Sequence, residues 1–251
     1  MGEVVLITGG TSGIGLAAAK KFLAGGSRVA IMARNEQRGQ AAATCLQQEF
    51  SHDHVLYIKG DVARTDDCQR AVQETAAWGG TLDVLINSAG IYRERALEDV
   101  SESEFQAMLD VNLKGTVFMT RYAVEQMKLQ GSGSIVNVSS DAGLHGNMLC
   151  SIYCATKGAV NMFTRAMALE LGAYGIRINA VCPGDVLTPL TEAQLAQYPD
   201  RNQALAEMSS VYPLGRIAAA EEIADVICFL AGRQASFVNG ALWSVDGGLT
   251  S

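Results

Sequence analysis

Two residues four positions apart, Tyr153 and Lys157, have the types and spacing that acid–base chemistry needs. On a helix this spacing places both side chains on one face. A free tyrosine has a pKa of about 10, but a nearby ammonium group stabilises the phenolate and lowers that pKa. Ser140 lies thirteen residues before Tyr153 and could hold a substrate oxygen. Because Tyr-x-x-x-Lys is common by chance, the pair alone could also belong to an ordinary helix surface.

A glycine-rich loop, Gly9 to Gly15, connects the first predicted strand to the first predicted helix. Glycine lets the backbone turn tightly and approach a pyrophosphate at the helix N-terminus. The spacing Gly-x-x-x-Gly-x-Gly differs from the Gly-x-Gly-x-x-Gly fingerprint, although the placement is the same. We predict a dinucleotide-binding loop; the alternative is a tight turn without a ligand. The residues predicted to contact the dinucleotide here are Gly9, Thr11, Ser12, Gly13, Ile14 and Gly15.

The residue after the second predicted strand indicates which dinucleotide binds. An NAD enzyme usually places Asp or Glu there, on the ribose 2′-hydroxyl. Here the residue is Arg34, whose guanidinium attracts a 2′-phosphate, so we predict NADP(H). NAD(H) stays possible because Arg34 can stack on adenine without a phosphate. Asp61 and Val62 follow the third strand, where Asp61 could accept a hydrogen bond from the adenine amino group or simply cap the next loop.

Short apolar runs alternate with helical patterns along the whole chain, which predicts the α/β fold class. We expect a single-domain Rossmann fold over residues 1–251, with a doubly wound, parallel seven-stranded sheet and helices on both faces. The predicted strands are Val4–Thr8, Arg28–Ala33, Val55–Lys59, Val84–Asn87, Ser134–Val138, Arg177–Val181 and Ala241–Val245. The predicted helices are Gly13–Ala24, Glu36–Phe50, Asp66–Trp78, Glu102–Leu129, Ser151–Ala173 and Glu221–Leu230.

Composition narrows the function classes. Of the 251 residues, 49% are hydrophobic and 18% charged, which is typical of a folded globular protein. The formal net charge of −7 disfavours nucleic acid and anionic membranes as partners. The 6 cysteines are scattered without a Cys-x-x-Cys pair, so we predict neither disulfides nor a metal site. No signal peptide or membrane-spanning stretch is evident, and we predict a cytoplasmic protein.

A set of ordered motifs resembles the short-chain dehydrogenase/reductase family over essentially the whole chain. The motifs are Thr8-Gly9-x-x-x-Gly13-x-Gly15, Asp61, Asn87-Ser88-Ala89-Gly90, Asn112, Ser140, Tyr153-x-x-x-Lys157, Pro183-Gly184 and Val245-Asp246-Gly247-Gly248. Ser88 departs from the second asparagine that many members carry. Two serines, Ser139 and Ser140, could compete for the catalytic role, and the family spacing to Tyr153 selects Ser140.

The resemblance implies four catalytic residues. Tyr153 is the acid in reduction and the base in oxidation, and Ser140 polarises the carbonyl oxygen. Lys157 holds the nicotinamide ribose and tunes Tyr153. Asn112 supports a water that links Lys157 to a proton relay. Further cofactor contacts that the family pattern implies are Asn87, Ala89 and Gly90 beside the adenosine ribose, and Pro183, Gly184, Val186 and Thr188 around the nicotinamide.

The stretch from residue 188 to 213 breaks the strand–helix rhythm and is predicted to be a substrate-covering lid. It carries two weak helical patterns, Glu192–Gln197 and Asn202–Met208. Apolar residues around it predict a hydrophobic substrate, such as a steroid-like or medium-sized ketone, although they could simply pack the lid. The residues predicted to contact the substrate are Tyr92, His145 and Leu190, together with Ser140 and Tyr153.

Three functions are compatible with the nucleotide-binding motifs. The leading hypothesis is an NADP(H)-dependent oxidoreductase that interconverts a ketone and a secondary alcohol. The second is a 3-oxoacyl-[acyl-carrier-protein] reductase, and the third is a non-catalytic NADP(H)-binding sensor. Spare apolar positions on the long helices, and the family resemblance, predict a homodimer or homotetramer.

Overall fold

The computed structural model describes residues 2–251 as alternating strands and helices. The strands are β1 (Val4–Thr8), β2 (Arg28–Ala33), β3 (Val55–Lys59), β4 (Val84–Asn87), β5 (Gly133–Val138), β6 (Ile176–Pro183), β7 (Val186–Leu187), β8 (Ala218–Ala219) and β9 (Leu242–Val245). The helices are α1 (Gly13–Ala24), α2 (Glu36–Glu49), α3 (Thr65–Gly79), α4 (Glu102–Met108), α5 (Gly115–Gln130), α6 (Ser151–Leu171), α7 (Pro189–Leu195), α8 (Arg201–Ser210) and α9 (Ala220–Ala231).

The main sheet has seven parallel strands in the order β3-β2-β1-β4-β5-β6-β9. Successive strand residues point to opposite faces, so Ile7 packs into one apolar layer and Leu6 into the other. Helices α1 and α9 cover the first face, and α3 and α5 cover the second. The predicted doubly wound Rossmann fold is therefore confirmed, and it explains why the strands are apolar on both faces.

The predicted helix Glu102–Leu129 is interrupted. A π-helical turn, Leu109–Lys114, separates α4 from α5. Within this turn the Asn112 side chain exchanges two hydrogen bonds with the backbone of Ile91, at 2.8 and 2.9 Å. The prediction of one continuous helix is therefore wrong. Asn112 is bound to Ile91, which lies on a loop distant in sequence, and the helix widens to a π-helical turn at Asn112.

The segment after β6 also differs from the predicted pattern. Helix α7 begins at Pro189, three residues earlier than predicted, because Thr188 caps it and proline suits the first helical position. Helix α8 begins at Arg201, with the Asp200 carboxylate accepting hydrogen bonds from two backbone amides. Strands β7 and β8 form a small parallel ladder that was not predicted and that joins the two ends of this segment.

Candidate active site

Three of the four predicted catalytic residues, Ser140, Tyr153 and Lys157, meet in one cleft of about 460 Å³ at the carboxyl ends of the central strands. Strand β5 ends just before Ser139 and Ser140, and α6 carries Tyr153 and Lys157 across from them. In an open α/β sheet this edge is where ligands bind. The other predicted site residues that line the cleft are Ile14, Gly90, Tyr92, His145, Pro183, Gly184, Val186, Thr188 and Leu190.

Tyr153 and Lys157 share one face of α6, as the spacing predicts. The Lys157 ammonium lies 5.6 Å from the centroid of the Tyr153 ring and donates a hydrogen bond to the Val138 carbonyl at 2.8 Å. Burial lowers the pKa of Lys157 to about 8. Burial also raises the pKa of Tyr153, although the neighbouring Ser140 hydroxyl opposes the rise. At neutral pH the pair is therefore a phenol beside a largely protonated amine.

Ser140 is buried and is held by its own neighbours. Its hydroxyl donates to the Asp141 carboxylate at 2.6 Å and accepts from the Ala142 amide at 3.1 Å. Ser139 also lines the cleft, but its hydroxyl donates to the Lys157 backbone carbonyl at 3.2 Å. The two serines therefore differ in their hydrogen bonds, and Ser140 is the one whose hydroxyl neighbours the Tyr153 phenol.

Asn112 is buried beneath the cleft and links three segments. Besides its bonds to Ile91, its amide nitrogen donates to the Thr156 hydroxyl at 3.2 Å on α6. Asn112 thus ties the π-helical turn to the loop after β4 and to the helix that carries Tyr153. Turns of this kind occur often at functional sites.

The glycine loop approaches its surroundings so closely that side chains would not fit. A Cβ on Gly15 would lie 2.5 Å from the Gly9 carbonyl oxygen, and one on Gly9 would lie 3.0 Å from the Ala89 backbone. A Cβ on Gly13 would lie 3.1 Å from the Thr188 side chain, which places the segment after β6 against this loop. Helix α1 starts without a side-chain cap, so its first amides remain available to an anion.

The loop after β4 lies beside the glycine loop. The amides of Ser88 and Ala89 both donate to the Thr8 hydroxyl at 3.1 Å. Asn87 is buried and donates to Thr120 on α5 and to Asn137 on β5, so its side chain connects a helix and a strand and does not line the cleft. The residues of this loop thus secure the centre of the sheet.

Arg34 extends from the end of β2 and is largely exposed. Its guanidinium lies 3.8 Å from the Asp61 carboxylate, which also accepts a hydrogen bond from the Ala63 amide at 3.0 Å. Asp61 therefore caps the loop after β3 through this bond, and its contact with an adenine amino group stays a prediction. Val62 is buried and packs in the core, where it meets Gly115.

The three predicted substrate residues have different surroundings. The Tyr92 ring makes an edge contact with the Tyr153 ring, with centroids 5.0 Å apart. His145 Nε2 lies 3.2 Å from the Asp141 carboxylate, and Leu190 is half exposed at the rim. The sequence gives no expectation for Asp141 or Asp185, which also line the cleft, as does Tyr212. The positions of the two acids directly after Ser140 and after Pro183-Gly184 were the available signal.

Comparisons with known proteins show which family this chain resembles. A family model described as enoyl-(acyl carrier protein) reductase matches residues 9–250. An uncharacterized oxidoreductase of Thermotoga maritima is 40% identical over 250 residues, covering 100% of this chain and 98% of that protein. A 2-(R)-hydroxypropyl-CoM dehydrogenase of Xanthobacter autotrophicus is 37% identical over 254 residues, covering 100% of both chains.

A solved structure, ElxO with NADP bound, superposes with a TM-score of 0.91 at 32% identity, covering 99% of both chains. Within residues 2–251 no helix is long and apolar enough to cross a membrane, and no cluster of metal-ligating side chains occurs. The family model, the relatives and the solved structure each match nearly the whole chain. It belongs to the short-chain dehydrogenase/reductase family and is an oxidoreductase.

Proposed function

We propose that this enzyme interconverts a ketone and a secondary alcohol with NADP(H), using Tyr153 as the acid and base. The observation that carries the proposal is that Ser140, Tyr153 and Lys157 line one cleft that also reaches Ile14 of the glycine loop. A substrate carbonyl in this cleft would lie within reach of a hydroxyl, a phenol and an ammonium group.

The residues present fit a dinucleotide. The loop of Gly9, Gly13 and Gly15 leads into the uncapped start of α1, where a pyrophosphate would accept hydrogen bonds from backbone amides, and Arg34 is free enough to pair with a 2′-phosphate. Lys157 would hold the nicotinamide ribose, and Val186 and Thr188 would hold the carboxamide. The cofactor supplies the hydride. Binding of NADP by the similar protein ElxO supports the choice of NADP(H), with NAD(H) as a second cofactor.

The side chains supply the proton and the polarisation. Ser140 donates a hydrogen bond to the substrate oxygen when it exchanges its Asp141 partner for the substrate. Tyr153 gives its proton to that oxygen in reduction and takes it back in oxidation. Because burial raises the pKa of Tyr153, the phenol is in place for reduction at neutral pH.

The substrate we propose is a hydrophobic ketone of medium size. Beyond the cleft lies a second cavity of about 640 Å³ that shares the apolar residues Met148, Leu190 and Val211 with the cleft. These three side chains are about half exposed or more, so a substrate would cover apolar surface there. The segment 188–213 that carries two of them is the proposed lid.

A second candidate, reduction of a 3-oxoacyl group on a carrier protein, is favoured by the acyl-carrier description of the matching family model. The third, a non-catalytic sensor, would not need Ser140, Tyr153 and Lys157 together, and all three are present.

Homodimers or homotetramers and a cytoplasmic location stay predictions. The exposure of Leu169 and Met162 on α6 supports subunit contacts, and solution scattering would measure the mass.

The test is an absorbance assay of NADPH oxidation with a panel of cyclic, aromatic and aliphatic ketones and a 3-oxoacyl thioester. We expect consumption of NADPH with one alcohol formed for each cofactor oxidised, and the highest kcat/KM with a free hydrophobic ketone. A highest kcat/KM with the thioester would support the carrier-protein candidate. Tight binding of NADPH without turnover of any compound would support the sensor.

A further inference from the structure

The loop between β6 and β7 holds an acidic residue, Asp185, by two bonds to a single tyrosine. The Asp185 amide donates to the Tyr212 hydroxyl oxygen at 2.6 Å, and that hydroxyl donates to Oδ2 of the Asp185 carboxylate at 2.9 Å. The tyrosine thus binds both the backbone and the side chain of one residue. This pair of bonds fixes the direction of the carboxylate before any ligand arrives.

Tyr212 can do this because its ring is fixed in turn. The residue is buried, and a Cβ on Gly184 would lie 2.6 Å from the ring carbon Cε1. Gly247 borders the other part of the side chain, with its Cβ position 3.6 Å from the Tyr212 Cβ. The Tyr212 side chain therefore packs against two glycines, and its hydroxyl has little freedom to move away from Asp185.

Asp185 lies at the surface of two cavities and is not paired with a cationic side chain of the described residues. It lines the inner cleft together with Tyr153 and the outer cavity together with Leu190. Within residues 2–251, Tyr212 binds Oδ2 and no side chain forms an ion pair with this carboxylate. Oδ1 therefore keeps its capacity to accept a hydrogen bond from a molecule in the cleft.

The charges around Asp185 are negative. Burial raises its pKa, the Tyr212 bond opposes the rise, and the carboxylates of Asp141 and Glu94 raise the pKa further. The nearest catalytic cation, Lys157, donates to a backbone carbonyl. A half-buried carboxylate with two acidic neighbours favours a positively charged group of the ligand.

Two arginines at the rim of the outer cavity do not neutralise the negative charge around Asp185. Arg95 lies 3.5 Å from the Glu104 carboxylate, and the Arg93 guanidinium donates to the Tyr92 carbonyl at 3.4 Å. Both side chains are exposed, so solvent screens them. An anionic substrate that used these arginines is the main competing outcome.

We propose that Asp185, held by Tyr212, selects ketones and alcohols that carry a protonated amine beyond the reacting carbon. This inference rests on the proposed function, because the amine is placed relative to a carbonyl at Ser140 and Tyr153. The apolar body of the substrate lies on the Met148–Leu190 side, and the ammonium group donates a charge-assisted hydrogen bond to Oδ1. A site built to bind a donor discriminates strongly against an analogue that lacks it.

Three 4-substituted cyclohexanones of similar shape provide the test: the dimethylamino compound, which is protonated at neutral pH, the neutral isopropyl compound and the anionic carboxylate. With NADPH, we expect kcat/KM for the dimethylamino ketone to exceed that for the isopropyl ketone by about tenfold or more. Asp185→Asn should remove this preference, and Tyr212→Phe should reduce it. Asp99→Asn, at an exposed carboxylate outside the cleft lining, is the matched control and should keep it.

Calorimetric binding of the same three ketones to the protein gives a second readout that needs no turnover. Tighter binding of the dimethylamino ketone, lost in Asp185→Asn, supports the role of Asp185 even if no ketone is reduced, and only the proposed function would then fail. Equal binding and equal turnover of the dimethylamino and isopropyl ketones would overturn the inference and leave the proposed function standing. A preference for the carboxylate would also overturn it.

Discussion

The nucleotide half of the cleft and the substrate half are built in different ways. The nucleotide half, around the glycine loop and β1, uses backbone groups, and Gly15 fits only because it has no side chain. The substrate half, after β6, uses side chains, several of them exposed, such as Leu190, Tyr198 and Val211. A site built from backbone geometry requires glycines at fixed positions and is therefore recognisable as a sequence motif. A site built from side chains has no such fixed pattern.

This difference indicates where sequence and structure are each informative. A cradle of backbone amides accepts one chemical shape, a pyrophosphate, and tolerates few substitutions. A pocket of side chains changes its ligand with each substitution. We therefore expect substitutions in the nucleotide half to alter affinity for the cofactor, and those in the substrate half to alter selectivity while cofactor binding stays the same.

The largest effect on cofactor affinity should come from Gly15→Ala. The added Cβ would lie 2.5 Å from the Gly9 carbonyl oxygen, so the loop must shift, and NADPH affinity should fall by up to about a hundredfold. Gly158→Ala is the matched control, since the nearest atom to its Cβ, the Gly143 oxygen, is 3.9 Å away. Fluorescence titration with NADPH measures both. Equal affinities of the two variants would contradict the proposed backbone cradle.

A smaller effect, and one that depends on the cofactor, should follow Arg34→Ala. Loss of a charge-assisted bond to the 2′-phosphate should raise the KM for NADPH by about tenfold or more, with little change in the KM for NADH. Arg38→Ala, at an exposed position on α2, is the control. If both cofactors lose affinity equally in the Arg34 variant, the arginine contacts the adenine and not a phosphate.

The pH dependence of alcohol oxidation should move in Asp185→Asn. Oxidation needs the Tyr153 phenolate, so kcat/KM rises with pH along an acidic limb set by the pKa of Tyr153. Burial raises that pKa first, and the negative charges of Asp141 and Asp185 raise it further. Removing one charge lowers the pKa and shifts the acidic limb to lower pH. A pH-rate profile that is unchanged, or shifted upward, would show that Asp185 does not act on Tyr153.

The smallest effect should follow Leu190→Ala on the proposed lid. This residue is half exposed without a ligand, so its removal should cost little stability. We expect the KM for a hydrophobic ketone to rise about threefold through lost apolar contact, with NADPH affinity unchanged. Steady-state kinetics at saturating NADPH measures this. A fall in NADPH affinity instead would contradict the separation of the two halves.

Much of the fold could be predicted because its information is local. Strands β1 to β4 have the predicted bounds, since strands buried on both faces are continuous apolar runs. The π-helical turn could not be predicted from a helical pattern, which reflects only neighbouring residues. Asn112 binds Ile91, which lies twenty-one residues earlier in the chain. Helices α7 and α8 begin earlier than predicted because Thr188 and Asp200 cap them. Both caps are local features that the sequence contains.

The catalytic residues were predictable as a motif, whereas their neighbours were not. Tyr153 and Lys157 carry their own spacing, and the structure places both in the cleft. Asp185 gains its direction only from Tyr212, twenty-seven residues later, at the C-terminal end of the proposed lid. Pairings between distant loops depend on the assembled fold, so the part of the site that we expect to choose the substrate could not be found from spacing.

The central claim, that Tyr153 is the acid and base, is tested most directly by comparing Tyr153→Phe with Tyr92→Phe. Both phenols belong to the same cleft, but the Tyr92 hydroxyl is engaged by the Cys150 sulfur at 3.0 Å. Using the best ketone of the panel and saturating NADPH, we predict that Tyr153→Phe loses kcat by about 10²–10⁴-fold and still binds NADPH, whereas Tyr92→Phe loses far less. Turnover that persists undiminished in Tyr153→Phe would contradict the account.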